Sequence, residues 1–516
     1  MSASAARFSV LRQSADPEVV AAIERLVAEA PDAALNRINV LAFARQHQLD
    51  EERCIAAFLH AARLGLLDLA WNVLCPGCGG VLSSNATLKT MRREAYSCAL
   101  CAAGYEPSLD EMVEVVFTVN PRVRAIAAHD PQRLPIWDYM RQVFWGSGVQ
   151  LPEGAAFDAL LQEITIEAVE LPPGEKAYLS LQLPAQFVIV FDPVTHSAHF
   201  LDVQGEPTRE RQSLEVVFNN VHAPTGTVSM RPGPLRLALD NQTAERVLPA
   251  VYIAGDALHH VLGNRGPFLT AKRLLTNQTF RDIYKAETLA IDQRLKITSL
   301  TFLFTDLRAS TELYERVGDL VAYDMVRAHF QVLNAVVAAQ AGAVVKTIGD
   351  AVMATFSTPS HAMAAALGMR EAMRQLNAQS SGREDLVLKI GLHEGPCLAV
   401  SLNDRLDYFG QAVNIAARVQ GLATSSSIFA TEPVVHYPGV ASLLQAAGLT
   451  AQAQSHQLRG IAHALTVFDT SALAVLLECR REALSEGKQF AVQGMPAGLA
   501  GMAGLYGVDA LLVAAP

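Results

Sequence analysis

Two aspartates that close short apolar runs have the residue type and setting to hold a divalent cation. Asp306 ends the run 300–305, and Asp350 lies at a Gly-Asp turn between two apolar segments, 343–347 and 352–356, that predict a β-hairpin. Carboxylates that converge at strand ends suit Mg²⁺ or Mn²⁺ when the phosphate oxygens of a substrate supply the remaining ligands. Either aspartate alone is more simply explained as a turn or helix cap. Together with the polar helix described next, they favour a metal site.

The polar helix is predicted after Gly410. Asn414 and Arg418 lie four residues apart in a segment of helical spacing, so their side chains share one face. Three segments, 304–311, 345–350 and 407–418, then resemble the catalytic domain of the class III nucleotide cyclases, the adenylate and guanylate cyclases. They occur in the family's order and approximate separation. The resemblance covers roughly residues 296 to 470.

The elements that must position these residues predict an α/β (α+β) domain. The pattern runs strand, long helix (310–340), hairpin, helix (359–378), hairpin (386–402), helix (410–422), then further strands. This is a βαββαβ, ferredoxin-like order, an antiparallel sheet covered by helices. It matches the palm-like fold that the resemblance implies.

The resemblance implies an adenylate cyclase that converts ATP to 3′,5′-cyclic AMP and pyrophosphate with two Mg²⁺ or Mn²⁺ ions per site. It assigns the metal ions to Asp306, Asp350 and the backbone of Leu307, and the base to Lys346 and Asp407. Asn414 and Arg418 correspond to the residues that orient the ribose and stabilise charge on the α-phosphate. The residues that correspond to phosphate contacts are Arg308, Ala309, Ser310, Thr311 and Arg459.

The family builds its sites across a dimer, so the resemblance implies a homodimer with shared active sites. A Lys donor and an Asp acceptor suit adenine, whose ring nitrogen accepts and whose amine donates. A cyclase of GTP or of a pyrimidine nucleotide, and a catalytically silent nucleotide sensor, are the alternatives. Retention of the metal, base and α-phosphate residues argues against a silent sensor.

Four cysteines in two Cys-x-x-Cys pairs predict a zinc-ribbon-like site. Cys75 and Cys78 are followed, after nineteen intervening residues, by Cys98 and Cys101. Four thiolates can surround Zn²⁺ tetrahedrally and leave no open position, so we predict a structural rather than a catalytic ion. A switchable pair of dithiols is the alternative.

Six regions are predicted along the chain. They are a helical, winged-helix-like domain (1–72), a zinc-ribbon-like and mixed segment (73–157), a β-rich, antiparallel sandwich-like domain (158–265), a helical linker (266–296), the cyclase domain (297–470) and a tail (471–516). By analogy with the family, residues 1–295 are predicted to be regulatory. The aromatic cluster at Trp137, Met140 and Phe144 favours core packing over a ligand pocket.

Composition excludes several classes of protein. The 516 residues carry a net charge of −10, and the second helix of the pair predicted from residue 40 onward opens with two glutamates, Glu51 and Glu52, so nucleic-acid binding is disfavoured. We find no signal-peptide pattern and no run of eighteen strongly apolar residues, which predicts no membrane span. Paired cysteines suit a reducing compartment, and we expect a cytoplasmic protein.

Overall fold

The computed structural model describes residues 3–92, 95–219, 226–285, 289–290, 293–308, 310–379, 386–423, 428–458, 461 and 464–469, with the backbone only of Ala3 and Thr311. The chain divides near residue 271 into two compact units, which are described separately. The described residues include helices and sheets in both units, so the predicted α/β (α+β) class is confirmed.

The amino-terminal unit begins with four helices, a three-stranded sheet and a separate two-stranded sheet. Their bounds are α1 (Ala3–Ser14), α2 (Pro17–Glu29), α3 (Val40–His47), α4 (Glu51–Arg63), β1 (Leu67–Leu74), β2 (Val81–Asn85), β3 (Tyr96–Cys98), β4 (Ala103–Tyr105) and β5 (Val113–Val119). Asp16, Asn39 and Asp50 begin three of these helices by accepting hydrogen bonds from backbone amides of the first turn. Strand β1 runs through residue 72, where a domain boundary was predicted. It pairs with β2 on one side and with β5 on the other, so the three strands form one sheet.

The rest of this unit contains two sheets and the helices that flank them. The bounds are α5 (Ile136–Tyr139), a π-helical turn (Met140–Phe144), α6 (Ala155–Ile164), β6 (Thr165–Ala168), β7 (Lys176–Leu183), β8 (Phe187–Asp192), β9 (Ser197–Val203), β10 (Gln212–Phe218), β11 (Thr227–Met230), β12 (Gly233–Asn241), β13 (Ala250–Ile253) and α7 (Asp256–Gly263). The strand orders are β10-β12-β7 and β11-β9-β8-β13-β6. Both sheets contribute to one apolar core. The predicted sandwich was expected to be antiparallel, but β10 pairs with β12 and β11 with β9 in parallel.

The linker predicted over 266–296 lies only partly within the described residues. Its described residues form two short helices, α8 (Ala271–Leu275) and α9 (Gln278–Ile283). The first strand of the following sheet, β14, already begins at Leu295, before the predicted domain start.

The carboxy-terminal unit is built on one eight-stranded sheet. Its elements are β14 (Leu295–Leu307), α10 (Ser310–Val317), α11 (Asp319–Ala339), β15 (Gly342–Ile348), β16 (Ala351–Phe356), α12 (Pro359–Gln379), β17 (Leu388–Leu402), β18 (Arg405–Phe409), α13 (Gln411–Leu422), β19 (Ile428–Thr431), α14 (Glu432–Val435), α15 (Val440–Ala446), β20 (Gln452–His456) and β21 (Leu465–Asp469). The strand order is β15-β16-β14-β17-β19-β21-β20, with β18 also paired to β17.

Two predictions for this unit are wrong in detail. The single helix predicted over 310–340 is two helices, because Gly318 adopts a positive φ of 79° between α10 and α11. The hairpin predicted over 386–402 is one strand, β17, whose return strand β18 follows a turn at Asn403 and Asp404, both with positive φ.

Helices cover both faces of this sheet. Leu333 of α11 and Met369 of α12 belong to one apolar cluster with Leu303, Phe356 and Ile428. On the other face, Val419 of α13 packs with Phe429. Because Ile428 and Phe429 are adjacent in β19, their side chains point to opposite faces, and the two clusters lie on either side of the sheet.

Candidate active site

Asp306 and Asp350 lie together where two antiparallel strands meet. Thr305 of β14 pairs with Val352 of β16, so Leu307 comes opposite the turn that carries Asp350. The backbone N–H of Leu307 donates to Asp350 Oδ2 at 3.2 Å. Gly349, with φ of 64°, permits the tight turn that aims Asp350 in this direction. Both carboxylates are half-buried, which leaves one side open to a ligand.

The electrostatics of this pair fit a divalent cation. Burial raises the pKa of the Asp306 carboxyl above its usual range, and the negative charge of Asp350 raises it further, whereas Lys389 lowers it. Two carboxylates held side by side repel each other until a cation lies between them. Oxygen ligands of this kind suit Mg²⁺ or Mn²⁺. The residues present therefore fit the metal ions that the sequence predicts here.

The predicted phosphate-binding segment lies directly after Asp306. Arg308 is exposed, and its backbone N–H donates to Val387 O at 2.8 Å, so that amide is already occupied. Ser310 begins helix α10, whose amino terminus carries partial positive charge. Ala309 and Arg459, which were also predicted to contact phosphates, lie outside the described residues. Thr311, whose backbone amide was predicted to do so, is the second residue of α10.

Lys346 and Asp407, the predicted base-recognition pair, are in direct contact. Lys346 Nζ lies 2.5 Å from Asp407 Oδ2. Asp407 Oδ1 also accepts from the backbone N–H of Tyr408 at 2.8 Å, which fixes the carboxylate. Lys346 is 41% exposed in its side chain and Asp407 10%, so the lysine covers the aspartate from the solvent side. The structure thus brings together two residues that are 61 positions apart.

Asn414 and Arg418 project from α13 on a solvent-accessible face. Asn414 is exposed and Arg418 half-buried. Within the described part of the chain, neither side chain makes a hydrogen bond or an ion pair. Helix α13 approaches β17 closely because Gly391 has no side chain; a Cβ there would lie 2.2 Å from the backbone N of Gln420. Gly391 therefore fixes the position of the helix that carries both residues.

Helix α9 contacts both strands that carry the base-recognition pair, which the sequence did not predict. Gln278 Oε1 accepts from the backbone N–H of Val344 at 2.8 Å, two residues before Lys346 and beside an irregularity in the β15–β16 register. Arg281 Nη2 donates to Leu406 O at 2.8 Å, one residue before Asp407, and its guanidinium lies over the Tyr408 ring. These contacts join distant segments, so spacing within the sequence carries no signal for them.

A buried histidine lies behind the carboxylate pair and was also missed. His329 is fully buried in α11. Burial lowers its pKa to about 4, and the nearby charge of Asp350 acts in the opposite direction. The ring is therefore neutral near pH 7. In the sequence His329 lies on an apolar helix face, where a packed histidine is the ordinary expectation.

The four predicted zinc ligands converge in the amino-terminal unit. The Sγ atoms of Cys75, Cys78, Cys98 and Cys101 all lie within 4.8 Å of one another. Cys75–Cys101 and Cys78–Cys98 are each separated by 3.6 Å between sulfurs. Tetrahedral Zn–S bonds of about 2.3 Å imply about 3.8 Å between sulfurs, so the geometry fits zinc.

Local backbone supports this cysteine cluster. The N–H groups of Cys78 and Gly80 each donate to a cysteine sulfur at 3.4 Å. The hydrogen bond between the Cys75 and Cys101 sulfurs lowers the pKa of Cys75, which favours a thiolate ligand. The cysteines are free thiols, as a metal site requires. A Cβ at Gly77 would lie 2.9 Å from Cys101 Sγ, so glycine is needed between the first pair.

Comparison with known families identifies both parts of the chain. Residues 293–459 match the adenylate and guanylate cyclase catalytic domain, so this segment is a class III nucleotide cyclase catalytic domain. Residues 1–282, more than half of the chain, match a family of unknown function, DUF5939, and the chain belongs to that family.

Several curated proteins are similar over the cyclase segment. Adenylate cyclase from Anabaena cylindrica is 29% identical over 150 residues, which cover 26% of this chain and 30% of that protein. Adenylate cyclase 1 from Rhizobium meliloti is 28% identical over 151 residues, 26% of this chain and 23% of that protein. The human guanylate cyclase soluble subunit beta-2 is 29% identical over 132 residues, 24% of this chain and 21% of that protein. The chain thus covers less than a third of each of these relatives.

Solved cyclase structures resemble the same segment. The adenylyl cyclase CyaB from P. aeruginosa has 21% identity and a TM-score of 0.30, covering 34% of this chain and 95% of that chain. The guanylate cyclase domain of RhGC from Catenaria anguillulae, in complex with GTP, has 19% identity and a TM-score of 0.30, covering 34% of this chain and 97% of that chain. Separately, no helix among the described residues has both the length and the apolar character needed to cross a bilayer.

Proposed function

We propose that this protein is an adenylate cyclase that forms 3′,5′-cyclic AMP and pyrophosphate from ATP and is regulated by its amino-terminal unit. The observation that carries the proposal is the pair of half-buried carboxylates, Asp306 and Asp350, at the end of β14 and the β15–β16 turn. A site of this kind suits a substrate that arrives with a triphosphate and its counter-ions.

In the proposed reaction, the ribose 3′-oxygen attacks the α-phosphorus. The bond from that phosphorus to the bridging oxygen breaks, pyrophosphate leaves, and the 3′-hydroxyl proton passes to water. Bound Mg²⁺ or Mn²⁺ supplies charge neutralisation and lowers the pKa of the attacking hydroxyl. Asp306, Asp350 and the Leu307 carbonyl would hold the cations, and the start of α10 would face the phosphates.

The base-recognition pair supports ATP as the substrate. Lys346 offers N–H donors and Asp407 a carboxylate acceptor, the groups that adenine needs at its ring nitrogen and amine. GTP is the second candidate, because the relatives include guanylate cyclases as well as adenylate cyclases. A guanine site is expected to exchange this pair for residues such as Glu and Cys.

A homodimer with shared sites is supported by the distribution of the groups. Lys346 and Asp350 are four residues apart on one hairpin, yet Lys346 contacts Asp407 whereas Asp350 contacts Leu307. The exposed Asn414 side chain and the half-buried Arg418 guanidinium have no polar partner in the described residues, and they are free to face a second copy. In the proposed dimer one protomer contributes the aspartates and its partner contributes the base pair, Asn414 and Arg418.

Regulation by residues 1–295 is supported by helix α9. All but the last residue of this helix lies in the segment matched by the DUF5939 family, and the helix contacts the strands that carry Lys346 and Asp407. A shift of α9 therefore alters the geometry of base recognition. We assign the zinc-ribbon-like segment a structural role, with one Zn²⁺ held by the four cysteines.

The proposal is tested by turnover of purified protein. ATP, GTP, CTP and UTP are each supplied with Mg²⁺ or Mn²⁺, and the cyclic product is identified by mass. We expect cyclic AMP from ATP with the highest kcat/KM, and no product from Asp350→Ala. If cyclic GTP forms faster than cyclic AMP, the proposed substrate is GTP and not ATP. No product from any nucleotide, or equal turnover by Asp350→Ala, would overturn the assignment.

A further inference from the structure

Asp306 and Asp350 are held in different ways, although both are proposed to bind the same cations. Asp350 accepts a hydrogen bond from the backbone N–H of Leu307, so the backbone sets its direction. The carboxylate of Asp306 is instead surrounded by side chains of other elements, among them Lys389 of β17 and Gln420 of α13. The orientation of Asp306 therefore depends on neighbouring side chains.

The sheet places Asp306 on the face that helix α13 covers. In the antiparallel pairing of β14 with β17, Asp306 is opposite Lys389. Phe304, two residues earlier, is opposite Gly391. Residues that are paired, or two apart in one strand, point to the same face of a sheet. A Cβ at Gly391 would meet Gln420 of α13, so this is the face on which the helix packs.

Gln420 begins directly above Gly391. Because glycine has no side chain, the helix comes so close that a Cβ at Gly391 would lie 2.6 Å from the Cβ of Gln420. Asp306 is the diagonal neighbour of Gly391 in the strand pair. Diagonal neighbours lie about 7–8 Å apart, a distance that a long side chain can span. The Gln420 side chain can therefore reach the Asp306 carboxylate.

The amide of Gln420 lies close to that carboxylate. Burial and the charge of Asp350 raise the pKa of the Asp306 carboxyl, whereas Lys389 and the Gln420 amide act in the opposite direction. The amide thus favours the charged form of Asp306. Its Nε2 is buried, yet it completes no hydrogen bond with any group among the described residues. A small movement of Asp306 toward the helix would give this buried donor its acceptor.

Gln420 also lies on the opposite side of α13 from the residues proposed to serve the second site. An α-helix turns about 100° per residue, so Gln420 is about 200° from Arg418 around the helix axis. Asn414 shares the face of Arg418. One face of α13 is therefore directed at Asp306 of its own chain, and the other carries the two side chains proposed to face a second copy.

From these observations we propose that Gln420 is a positioning residue for Asp306. Its Nε2–H donates to one carboxylate oxygen, and the other oxygen is left directed at the cation. This inference rests on the proposed function, because that function assigns Asp306 to the cation. Through Gln420, the cation of one site is joined to the helix that carries Asn414 and Arg418 for the other.

Mn²⁺ binding measures this role without turnover. The full-length protein is titrated with Mn²⁺ alone, and the free ion is measured by electron paramagnetic resonance. Asp350→Ala gives the background from other sites. Gln420→Met keeps the length of the side chain and removes the amide, and should weaken Mn²⁺ binding above that background about 10-fold. Gln420→Ala is the second variant if the methionine disturbs folding, as judged by circular dichroism.

Gln452→Met is the matched control for the loss of a glutamine amide. Gln452 is also half-buried, and its Nε2 is also buried without a hydrogen bond to a described residue. It lies in β20, at the far edge of the sheet from Asp306. Gln452→Met should bind Mn²⁺ as the wild type does.

The outcomes separate this inference from the proposed function. A wild type that binds Mn²⁺ no better than Asp350→Ala would overturn the cation site and the inference with it. A wild type that binds, with equal affinity in both Gln420 variants, would overturn the inference alone. An equal loss in the Gln452 control would also overturn it, because the effect would not depend on nearness to Asp306.

Mixed dimers show which site Gln420 serves. A dimer of one Asp306→Ala chain and one Asn414→Ala chain is proposed to hold one complete site, with its aspartates on the Asn414→Ala chain. Gln420→Met added to that chain should raise the Mg²⁺ concentration for half-maximal activity about 10-fold. Added to the Asp306→Ala chain, it should leave that concentration unchanged. The reverse result would show that Gln420 acts through the placement of Asn414 and Arg418, and would overturn the inference.

Discussion

Lys346 and Asp407 bond to each other at 2.5 Å, although two strands, β16 and β14, separate β15 from β17, the partner of β18, in the hydrogen-bonding order of the sheet. The donor and the acceptor that are proposed to recognise adenine therefore satisfy one another before a nucleotide arrives. Asp407 keeps its second bond, from the Tyr408 amide, whichever partner the other oxygen has. A base must displace the lysine from the aspartate, so a base that offers only one of the two interactions gains little.

Exchange of this pair should therefore change the preferred nucleotide. We expect Lys346→Met to lower kcat/KM for ATP about 10- to 100-fold, because Asp407 is left buried without its cationic partner and the base loses a donor. The double variant Lys346→Glu, Asp407→Cys should lower the ratio of ATP to GTP turnover. Initial rates with both nucleotides check this, and an unchanged ratio in the double variant would remove the pair from base recognition.

Asp306→Asn should stabilise the metal-free protein and abolish turnover. The substitution removes the repulsion between neighbouring carboxylates, which at this half-exposed position is worth about 0.5 kcal/mol after solvent screening. Thermal unfolding of the wild type and the variant, each with and without Mg²⁺, measures the difference in stability. Mg²⁺ should raise the midpoint of the wild type and leave that of Asp306→Asn unchanged. A variant less stable than the wild type without metal would contradict the repulsion.

The Asp306 carboxyl should make both the stability of the metal-free protein and its Mg²⁺ affinity depend on pH. Its pKa is raised in the folded protein, by burial and by Asp350, so the folded state binds the proton more tightly than the unfolded state does. The stability of the metal-free protein that depends on this group is greatest at low pH and falls as pH rises from the ordinary aspartate range through the raised pKa. Mg²⁺ affinity should change in the opposite sense, rising over the same window as the proton leaves. Calorimetric titration at several pH values checks this, with Asp306→Asn as the control.

Mixing two inactive variants tests the shared sites. Asp306→Ala lacks a proposed metal ligand and Asn414→Ala lacks the proposed ribose contact, and each homodimer should be inactive. After subunit exchange, half of the dimers are mixed and each has one complete site, so the mixture should recover about one quarter of wild-type activity. Equal amounts of Asp306→Ala and Asp350→Ala are the control and should recover none. Recovery in the control but not in the first mixture would rule out the proposed division of residues.

Removal of zinc should destabilise the amino-terminal unit. We expect one zinc per chain by elemental analysis, and loss of that metal together with about 2 kcal/mol or more of unfolding free energy in Cys98→Ser. Cys54→Ser is the matched control, because Cys54 is buried but stands apart from the cluster. Full zinc content in Cys98→Ser would contradict four-sulfur ligation.

Helix α9 should influence base recognition without touching the nucleotide. Arg281→Met removes the bond to Leu406 O, and we expect kcat/KM for ATP to fall about 3- to 10-fold, chiefly through KM. Arg294→Met, an exposed arginine beyond the helix, is the matched control. The pH profile of turnover should stay the same in both, since Arg281 holds a strand in position and transfers no proton. A change confined to thermal stability would reduce Arg281 to a structural role.

Sequence patterns predicted correctly those features whose residues lie close together along the chain. The Gly349-Asp350 hairpin, helix α13 and the four-cysteine cluster follow from short spacings. Features that depend on distant segments were not accessible. Glu114 lies in an apolar strand, yet it is buried and bonds to Asn72 at 2.9 Å and to Ser147, and only the fold brings these residues together.

The helix break and the long strand were missed for a different reason. Gly318 interrupts a continuous apolar pattern, and helical periodicity on either side conceals the change in direction. In β17 the pattern contains Gly391 and Gly395, which resemble turn residues but serve instead to admit helix α13. The sequence alone does not distinguish a glycine that permits close packing from a glycine that permits a turn.

The β15–β16 hairpin has a consequence for how two sites would work together. In the proposed dimer, Lys346 belongs to one site and Asp350, four residues further on, belongs to the other. A nucleotide that draws Lys346 away from Asp407 displaces strand β15, which leads into the turn that carries Asp350, the proposed cation ligand of the other site. Occupation of the first site should therefore alter affinity at the second, and ATP saturation curves should depart from a simple hyperbola.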